Sequence, residues 1–561
     1  MNNLIIGVDN FGEAIGENLP FVDKSLFIKE IFDNAGVKAS VIVRPRRFGK
    51  TFNLSMLRHF LAKEVNGLKT QGMFDNLAIN RQGDDYMRHQ GEYPVIFISF
   101  KDMKHDSYED AYKGLALLMS ATYSEHAVLL SGDILLDHEK KVFEDILWKR
   151  ASTEEILTSL LNLSNYLYRY YKVKPWLLID EYDTPIQSGY LNHHYQEIIG
   201  LMRGLLSSAL KGNDNINRAI VTGILRIAKE NLFSGLNNVK IFSVLNIQYA
   251  DHFGFTEAEV DAELQKNNLE HLAADIKNWY NGYRIGGRRI YNPWSIANCL
   301  YDRGAMRPYW VNTSDNLLIK RTMARADAAT KIQFESVLAG DPIEVMINEN
   351  MTFAELNKSD ALWSLLLFSG YLTALEERYI DTQVSCLLQT PNQEIAALYR
   401  DIIREWFDAS LGKIEYHKFL MNLVEGRLEN FLSTLQRFLK ESTSYFDVKG
   451  RHPEKFYHGF VLGLMVGLAD THLIQSNKES GDGRYDVLII PKDLEKLGLV
   501  LEFKVAEEGA TLQVVAEEAL IQINNRNYET ELRQKGVRSI LKVGLAFEGK
   551  EVAMAFVYAE A

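Results

Sequence analysis

Three side chains toward the C-terminus have the types and spacing for metal-assisted hydrolysis of a phosphodiester: Asp486 in GRYDVLII, and Glu502 and Lys504 in LVLEFKV. Strand residues two apart face the same side. Glu502 and Lys504 therefore project together, with Val500, Leu501, Phe503 and Val505 as apolar surroundings. Asp486 lies on the preceding strand, across a link at 491–498 that a hairpin can close. Two carboxylates offer hard oxygens to Mg²⁺, with Mn²⁺ as an alternative. A metal held there lowers the pKa of its water and stabilises charge on a scissile phosphate. Lys504 would orient the nucleophile or stabilise the developing charge. Glu479, in SNKESG, is a further candidate carboxylate for the metal, and the Phe503 carbonyl a further ligand. Tyr457, His458 and Gln522 could line the groove, with ordinary packing as the equal alternative. The D-x(15)-E-x-K spacing alone is a weak signal, since a solvent-facing salt-bridge cluster on a hairpin looks the same. It gains weight from its setting.

A second constellation binds phosphate. Residues 44–51 read RPRRFGKT between a strand and a helix. Gly49, Lys50 and Thr51 match the end of a P-loop, G-x-x-x-x-G-K-[ST]. The helix start aims backbone N–H groups at phosphate oxygens. Lys50 would neutralise the β/γ-phosphates and Thr51 would ligate Mg²⁺. Arg44 stands where the first glycine belongs, which could alter the loop path. Arg46 and Arg47 add charge that could compensate. Downstream, WLLIDEYD runs four apolar residues into two carboxylates. A buried strand of that kind delivers Asp180 to the Mg²⁺ shell and sets Glu181 to polarise attacking water. The spacing, with one extra strand between, suits an additional-strand ATPase. In RAIVTGILR, Thr222 ends a strand and could sense the γ-phosphate. Arg226 could reach a nucleotide in cis or in trans, or simply be solvated.

The elements that must position these residues follow from periodicity. Strands are expected at 39–44, 93–100, 175–180, 218–223 and 241–245, alternating with helices, which implies a mostly parallel sheet covered on both faces. From about 250 to 440 the pattern is helical, broken by turns such as Asn281-Gly282 and Gly286-Gly287. Tyr280, Tyr283, Tyr291 and Trp294 in that stretch could stack on bases, although packing of a helical lid is the better reading. The last part reads αβββαββ: a helix near 454–469, strands at 471–476, 485–490 and 499–505, a helix over 511–528, then strands at 539–547 and 552–558. The expected organisation is a P-loop ATPase core at 1–250, a mostly helical lid or middle region at 251–440, and a separate α/β domain at 441–561.

Composition sets bounds. The chain has 561 residues and a formal charge of −12, so a nucleic-acid partner must be met by local basic patches and metal rather than bulk charge. Two cysteines, Cys299 and Cys386, make neither a disulfide framework nor a zinc site. The N-terminus lacks the basic-then-apolar pattern of a signal peptide. The longest apolar stretch, around 456–469, is shorter than the ~20 residues that span a bilayer. The expectation is a cytoplasmic protein without a membrane partner.

The motifs, taken in order, resemble a family of bacterial proteins with an AAA-ATPase-like N-terminal domain fused to a C-terminal domain of the PD-(D/E)XK nuclease superfamily. The resemblance spans nearly the whole chain through FVDKSL, RPRRFGKT, LIDEYDTP, TGILR, SGLNN, WYNGY, YNPWS, SGYLT, PNQEI, SNKESGDGRYD and LEFK. It implies that Arg at the first P-loop position is a family habit. It also implies nucleotide binding on Gly49, Lys50, Thr51, Asp180 and Glu181, and a nuclease site on Asp486, Glu502 and Lys504. Anti-phage defence and mobile-element biology are analogies that it suggests without fixing a role. Three functions stay open at this point. The first couples ATP to Mg²⁺-dependent cleavage of nucleic acid, DNA foremost, with a homo-oligomer allowed. The second is a nucleotide-dependent switch and interaction protein with weak or absent nuclease activity. The third is a nuclease on a scaffold that no longer uses ATP.

Overall fold

A computed structural model describes residues 4–225, 238–310, 341–356, 359–381, 383–399, 413–441, 465–468, 471–476, 479–480, 483–484, 486–507 and 509–560, with isolated positions between 311 and 340. The chain forms two compact units, Met1–Ala324 with Glu344–Ile395, and Arg325–Ile343 with Ala396–Ala561.

The first unit is built on five strands: β1 (Ala39–Val43), β2 (Val95–Ser99), β3 (Trp176–Asp180), β4 (Ala219–Gly223) and β5 (Val239–Phe242). They lie in the order β2-β3-β4-β1-β5, and every pairing is parallel. β4 thus separates the phosphate-loop strand from the carboxylate strand, as the additional-strand class requires. The near-continuous apolar runs ASVIV, WLLID and AIVTG suit strands covered on both faces, and all fifteen of their residues are buried. Helix α1 (Lys50–Leu61) packs on one side through Leu54, Leu57, Phe60 and Leu61, in a core shared with Ile42, Leu178 and Ile220. Thr153–Tyr171, capped by Ser152 and Glu155, and Tyr195–Leu210 are further helices of this unit.

Among the described residues from 250 to 440 the elements are mainly helical, with Glu257–Lys266, Ala273–Tyr280, α2 (Pro293–Tyr301), Ser359–Phe368, Lys413–Val424 and Leu428–Glu441. Two three-stranded sheets also occur there, one made from Phe255–Thr256, Arg288–Tyr291 and Tyr283–Ile285, the other from Ile343–Ile347, Gln383–Gln389 and Thr373–Ile380. Helical periodicity does not announce them. The first set is two to four residues per strand, and Thr373–Ile380 is exposed along its last five residues, so neither shows an alternation to read.

The second unit holds a mixed sheet of β6 (His472–Ser476), β7 (Val487–Pro491), β8 (Gly498–Val505), β9 (Ser539–Glu548) and β10 (Glu551–Glu560), in that order. Only the β8–β9 pair is parallel. The crossover between them is helix α3 (Leu512–Asn525), which covers one face, while Phe419, Leu423, Phe431 and Leu435 pack on the other. Most of the helix expected at 454–469 lies outside the described residues. Both cysteines are buried and free. No helix among the described residues is long and apolar enough to cross a membrane.

Candidate nucleotide and nuclease sites

The phosphate loop leaves β1 at Arg44 and enters α1 at Lys50. Two of its residues are left-handed, Arg47 at φ 65° and Gly49 at φ 79°. Left-handed residues among right-handed neighbours turn successive N–H groups to one side and form an anion-sized concavity. Gly49 caps α1 without a side-chain bond, so the first helical N–H groups stay available to a ligand. The loop therefore reaches its shape with no glycine at 44.

Arg44 itself does not face the cleft. It is fully buried. Its Nη1 donates to the carbonyls of Val43 (2.8 Å), Phe242 (3.0 Å) and Ser243 (2.9 Å), and Nη2 to that of Gln248 (3.0 Å). Burial pulls this guanidinium down to about 9, with Glu30 opposing. Arg44 ties the root of the loop to the end of β5, a role for which charge-assisted bonds to four carbonyls are well suited.

Lys50 is buried, and its Nζ donates to the carbonyls of Arg44 (3.1 Å) and Pro45 (3.0 Å). Burial lowers its pKa, and Glu181, Asp180 and Asp183 push the other way. Asp180 ends β3 at 0% exposure. It accepts from Thr51 Oγ1 (2.7 Å) and Thr222 Oγ1 (2.6 Å). Burial raises its pKa, and those two hydroxyls oppose the rise. Glu181 follows in a left-handed conformation, φ 51°, and accepts from Thr184 Oγ1 at 3.2 Å. Strain at a non-glycine residue beside two carboxylates is a mark of functional sites. The second aspartate of the motif does something else. Asp183 accepts from the backbone N–H groups of Ile224 and Leu225 (3.0 and 2.9 Å), and Tyr182 donates to the Leu225 carbonyl. These two residues clamp the exit of β4. Arg226 lies just beyond, outside the described residues.

A cleft of about 430 Å³ opens over the loop. Arg46, Arg47, Gly49, Lys50, Thr51 and Glu181 line one part, and Ile5, Val8, Phe21, Val22, Phe255 and Ala297 supply apolar wall elsewhere. Ile5 and Val8 carry no motif, which is why sequence reasoning missed them, and FVDKSL by itself says nothing of a cleft wall at Phe21 and Val22. Arg46 bonds Gln187 (3.1 Å), and Arg47 lies 4.2 Å over the Trp294 ring. Of the aromatics in the middle region, Tyr280, Tyr283 and Tyr291 are buried packing residues, and Trp294 lines the cleft.

In the second unit, Glu502 pairs with Gly544 and Lys504 with Ala546 across β8 and β9. Across β7 and β8, Val487 pairs with Leu501 and Leu488 with Val500. Extending that register by one residue puts Asp486 opposite Glu502, and Asp486 Oδ2 accepts from the Phe503 N–H at 2.7 Å. Asp486, Glu502 and Lys504 therefore share one sheet face, the face that α3 covers. Glu502 is 4% exposed, while Asp486 and Lys504 are half-buried. Gln522 of α3 donates to Glu502 Oε1. Tyr528 is a residue that sequence reasoning did not single out. It is buried, Gln522 hydrogen-bonds its hydroxyl, and burial raises its pKa with Glu502 and Asp486 adding to the rise. Glu479 lies on a two-residue hairpin with Arg484, and its side chain is outside the described residues, as are Tyr457 and His458. Among the described residues no group of three or more His, Cys, Asp or Glu is arranged around a metal position. The donor set of Asp486 and Glu502 nevertheless suits a hard divalent cation, since both offer carboxylate oxygens and one is nearly dry.

Residues 5–233 match the model of a predicted AAA-ATPase family, and residues 452–556 that of the PD-(D/E)XK nuclease superfamily. The chain is also 26% identical over 550 residues, 95% of its own length and 94% of the relative's, to an uncharacterized protein in the vnfD 5′ region of Azotobacter chroococcum mcd 1. A parallel sheet with a phosphate loop, a mixed sheet with two carboxylates and a lysine on one face, and these two matches agree: the chain carries an AAA-ATPase-like domain at its N-terminus and a PD-(D/E)XK nuclease-superfamily domain at its C-terminus.

Proposed function

We propose that this protein binds and hydrolyses ATP and cleaves phosphodiester bonds in nucleic acid, DNA foremost, with Mg²⁺ or Mn²⁺ at the C-terminal site. The observation that carries the reading is the common face of Asp486, Glu502 and Lys504, reinforced by the Asp486–Phe503 bond. Asp486 and Glu502 would hold the cation, which when bound supplies a Lewis acid and an acidified water. Lys504 places a cation beside them, where negative charge grows on the phosphate. Gln522 fixes the Glu502 carboxylate in one orientation.

In the first unit, Lys50 supplies charge to the terminal phosphates, Thr51 and Asp180 supply oxygens for Mg²⁺, and Glu181 orients water. Thr222 holds Asp180, while Arg46 and Arg47 add positive potential at the cleft. The protein is read as cytoplasmic. A second reading, a nucleotide-dependent switch with weak nuclease activity, draws on the pair rather than trio of carboxylates among the described residues.

The test is a cleavage screen on plasmid, linear, single-stranded DNA and RNA, with metal and nucleotide varied independently. The proposal expects metal-dependent scission of at least one substrate. Survival of all of them, with ATP present and absent, would favour the switch.

A further inference from the structure

Every residue from 44 to 48 of the phosphate loop is held by a segment distant in sequence. Arg44 is fixed to the end of β5. Pro45 abuts Gly370 so closely that a Cβ there would lie 2.8 Å from the Pro45 Cβ. The Trp310 indole N–H donates to the Arg46 carbonyl at 3.2 Å. Arg47 stacks on Trp294, and Phe48 meets the Tyr283 ring edge-on at 5.1 Å while its carbonyl accepts from Gly254 N at 3.1 Å. Behind Trp310 sits Glu394, fully buried, which accepts from the Trp310 backbone N–H (2.7 Å) and Ser295 Oγ (2.7 Å). Neither Trp310 nor Glu394 lines the cleft.

We infer that Trp310, anchored by Glu394, is a positioning residue for phosphate binding. The inference rests on the nucleotide-binding reading above. Across a trans peptide the carbonyl of one residue and the N–H of the next point in opposite directions. Holding the Arg46 carbonyl against Trp310 turns the Arg47 N–H away from Trp310, to the cleft side of the loop. The same bond supports Arg47 in its left-handed conformation, which a non-glycine residue adopts only under strain. A loop with glycine in only one position needs such outside support. The segments after residue 280 supply it, which gives WYNGY, YNPWS, SGYLT and PNQEI a shared purpose beyond packing.

The test compares binding of MgADP and adenosine by calorimetry in full-length wild type, Trp310→Phe and Glu394→Gln. Trp310→Phe replaces the bicyclic indole by a single benzene ring and so removes the N–H that reaches Arg46, a truncation that the control below shares. Trp176→Phe is the control, since Trp176 is equally buried in the same unit and its indole N–H has no partner among the described residues. MgADP affinity should fall about fivefold to tenfold in Trp310→Phe. Glu394→Gln should move it the same way, and Trp176→Phe should leave it unchanged. Adenosine affinity should be unaffected in all of them, because it lacks the phosphates. Wild-type MgADP affinity in both Trp310→Phe and Glu394→Gln overturns the positioning role while nucleotide binding stands. Equal losses for MgADP and adenosine also overturn it, since they report general loosening. Should wild type bind neither MgADP nor MgATP, the nucleotide reading falls and the positioning role with it.

Discussion

Gly544 offers a sharp perturbation of the C-terminal site. It pairs with Glu502 on the parallel neighbour strand, and α3 passes directly over it. A Cβ at 544 would stand 2.3 Å from the Ala516 carbonyl oxygen and 2.6 Å from the Leu520 amide nitrogen, both backbone atoms of the helix that carries Gln522. Ordinary contact begins at 3.4 Å, so Gly544→Ala must drive α3 outward by about 1 Å. Overpacking of this kind destabilises by about 1–3 kcal/mol. A misplacement of about 1 Å near reacting groups reduces rate by about 100-fold. Denaturant melts of the variant should show the loss of stability, and metal-dependent cleavage should fall by that factor while MgADP binding stays at the wild-type level. Gly200→Ala is the control, because a Cβ there meets nothing within 4 Å. Wild-type stability and wild-type cleavage in Gly544→Ala would refute the close packing of α3 against the carboxylate strand.

Three other outcomes follow from the geometry. Lys50→Ala should weaken MgATP by about 100-fold, since it removes a charged donor to phosphate, and unchanged affinity in calorimetry would end its assignment. Tyr528→Phe should lower cleavage about tenfold with little change in KM, because it loosens the Gln522–Glu502 contact rather than substrate binding, and a changed KM at constant kcat would argue for a direct substrate contact. Burial raises the Glu394 carboxyl to about 7, so between its ordinary value of 4.5 and about 7 the folded state binds more protons than the unfolded one. Stability of the first unit should therefore fall as pH rises through that window, by about 3 kcal/mol over its full width, and Glu394→Gln should flatten the slope in unfolding curves at pH 5 and pH 8.

Much of the scaffold was legible because its strands are uniform apolar runs. The runs at 39–43, 176–180 and 219–223 lie in the centre of a sheet, where burial on both faces leaves no polar alternation to confuse the pattern. The position of Asp180 at the end of β3 was legible for the same reason: a carboxylate after four apolar residues has few places to be. What escaped depends on contacts distant in sequence. Arg44 reads only as a departure from the P-loop pattern until the carbonyls of Phe242, Ser243 and Gln248 are found around its guanidinium. Asp183 closes the WLLIDEYD run without a role that the sequence suggests, yet it grips two backbone amides of the segment after β4. Leu4 and Ile5 carry no motif, Val22 lies in one with no chemistry of its own, and all three become cleft walls only by folding back over the loop. Tyr528 follows α3, and its place beside Glu502 depends on how that helix crosses the sheet. The strands at 283–291 escaped through their shortness.

The measurement that tests the account most directly is Mg²⁺-dependent cleavage of labelled DNA by wild type and by Glu502→Gln, a variant that keeps the size of the side chain, exchanges one carboxylate oxygen for an NH2 and removes its charge. The account predicts scission by wild type and none above background by the variant, with folding and MgADP binding equal in the two. Equal cleavage by both proteins, or none by wild type on any substrate with Mg²⁺ or Mn²⁺, would contradict it.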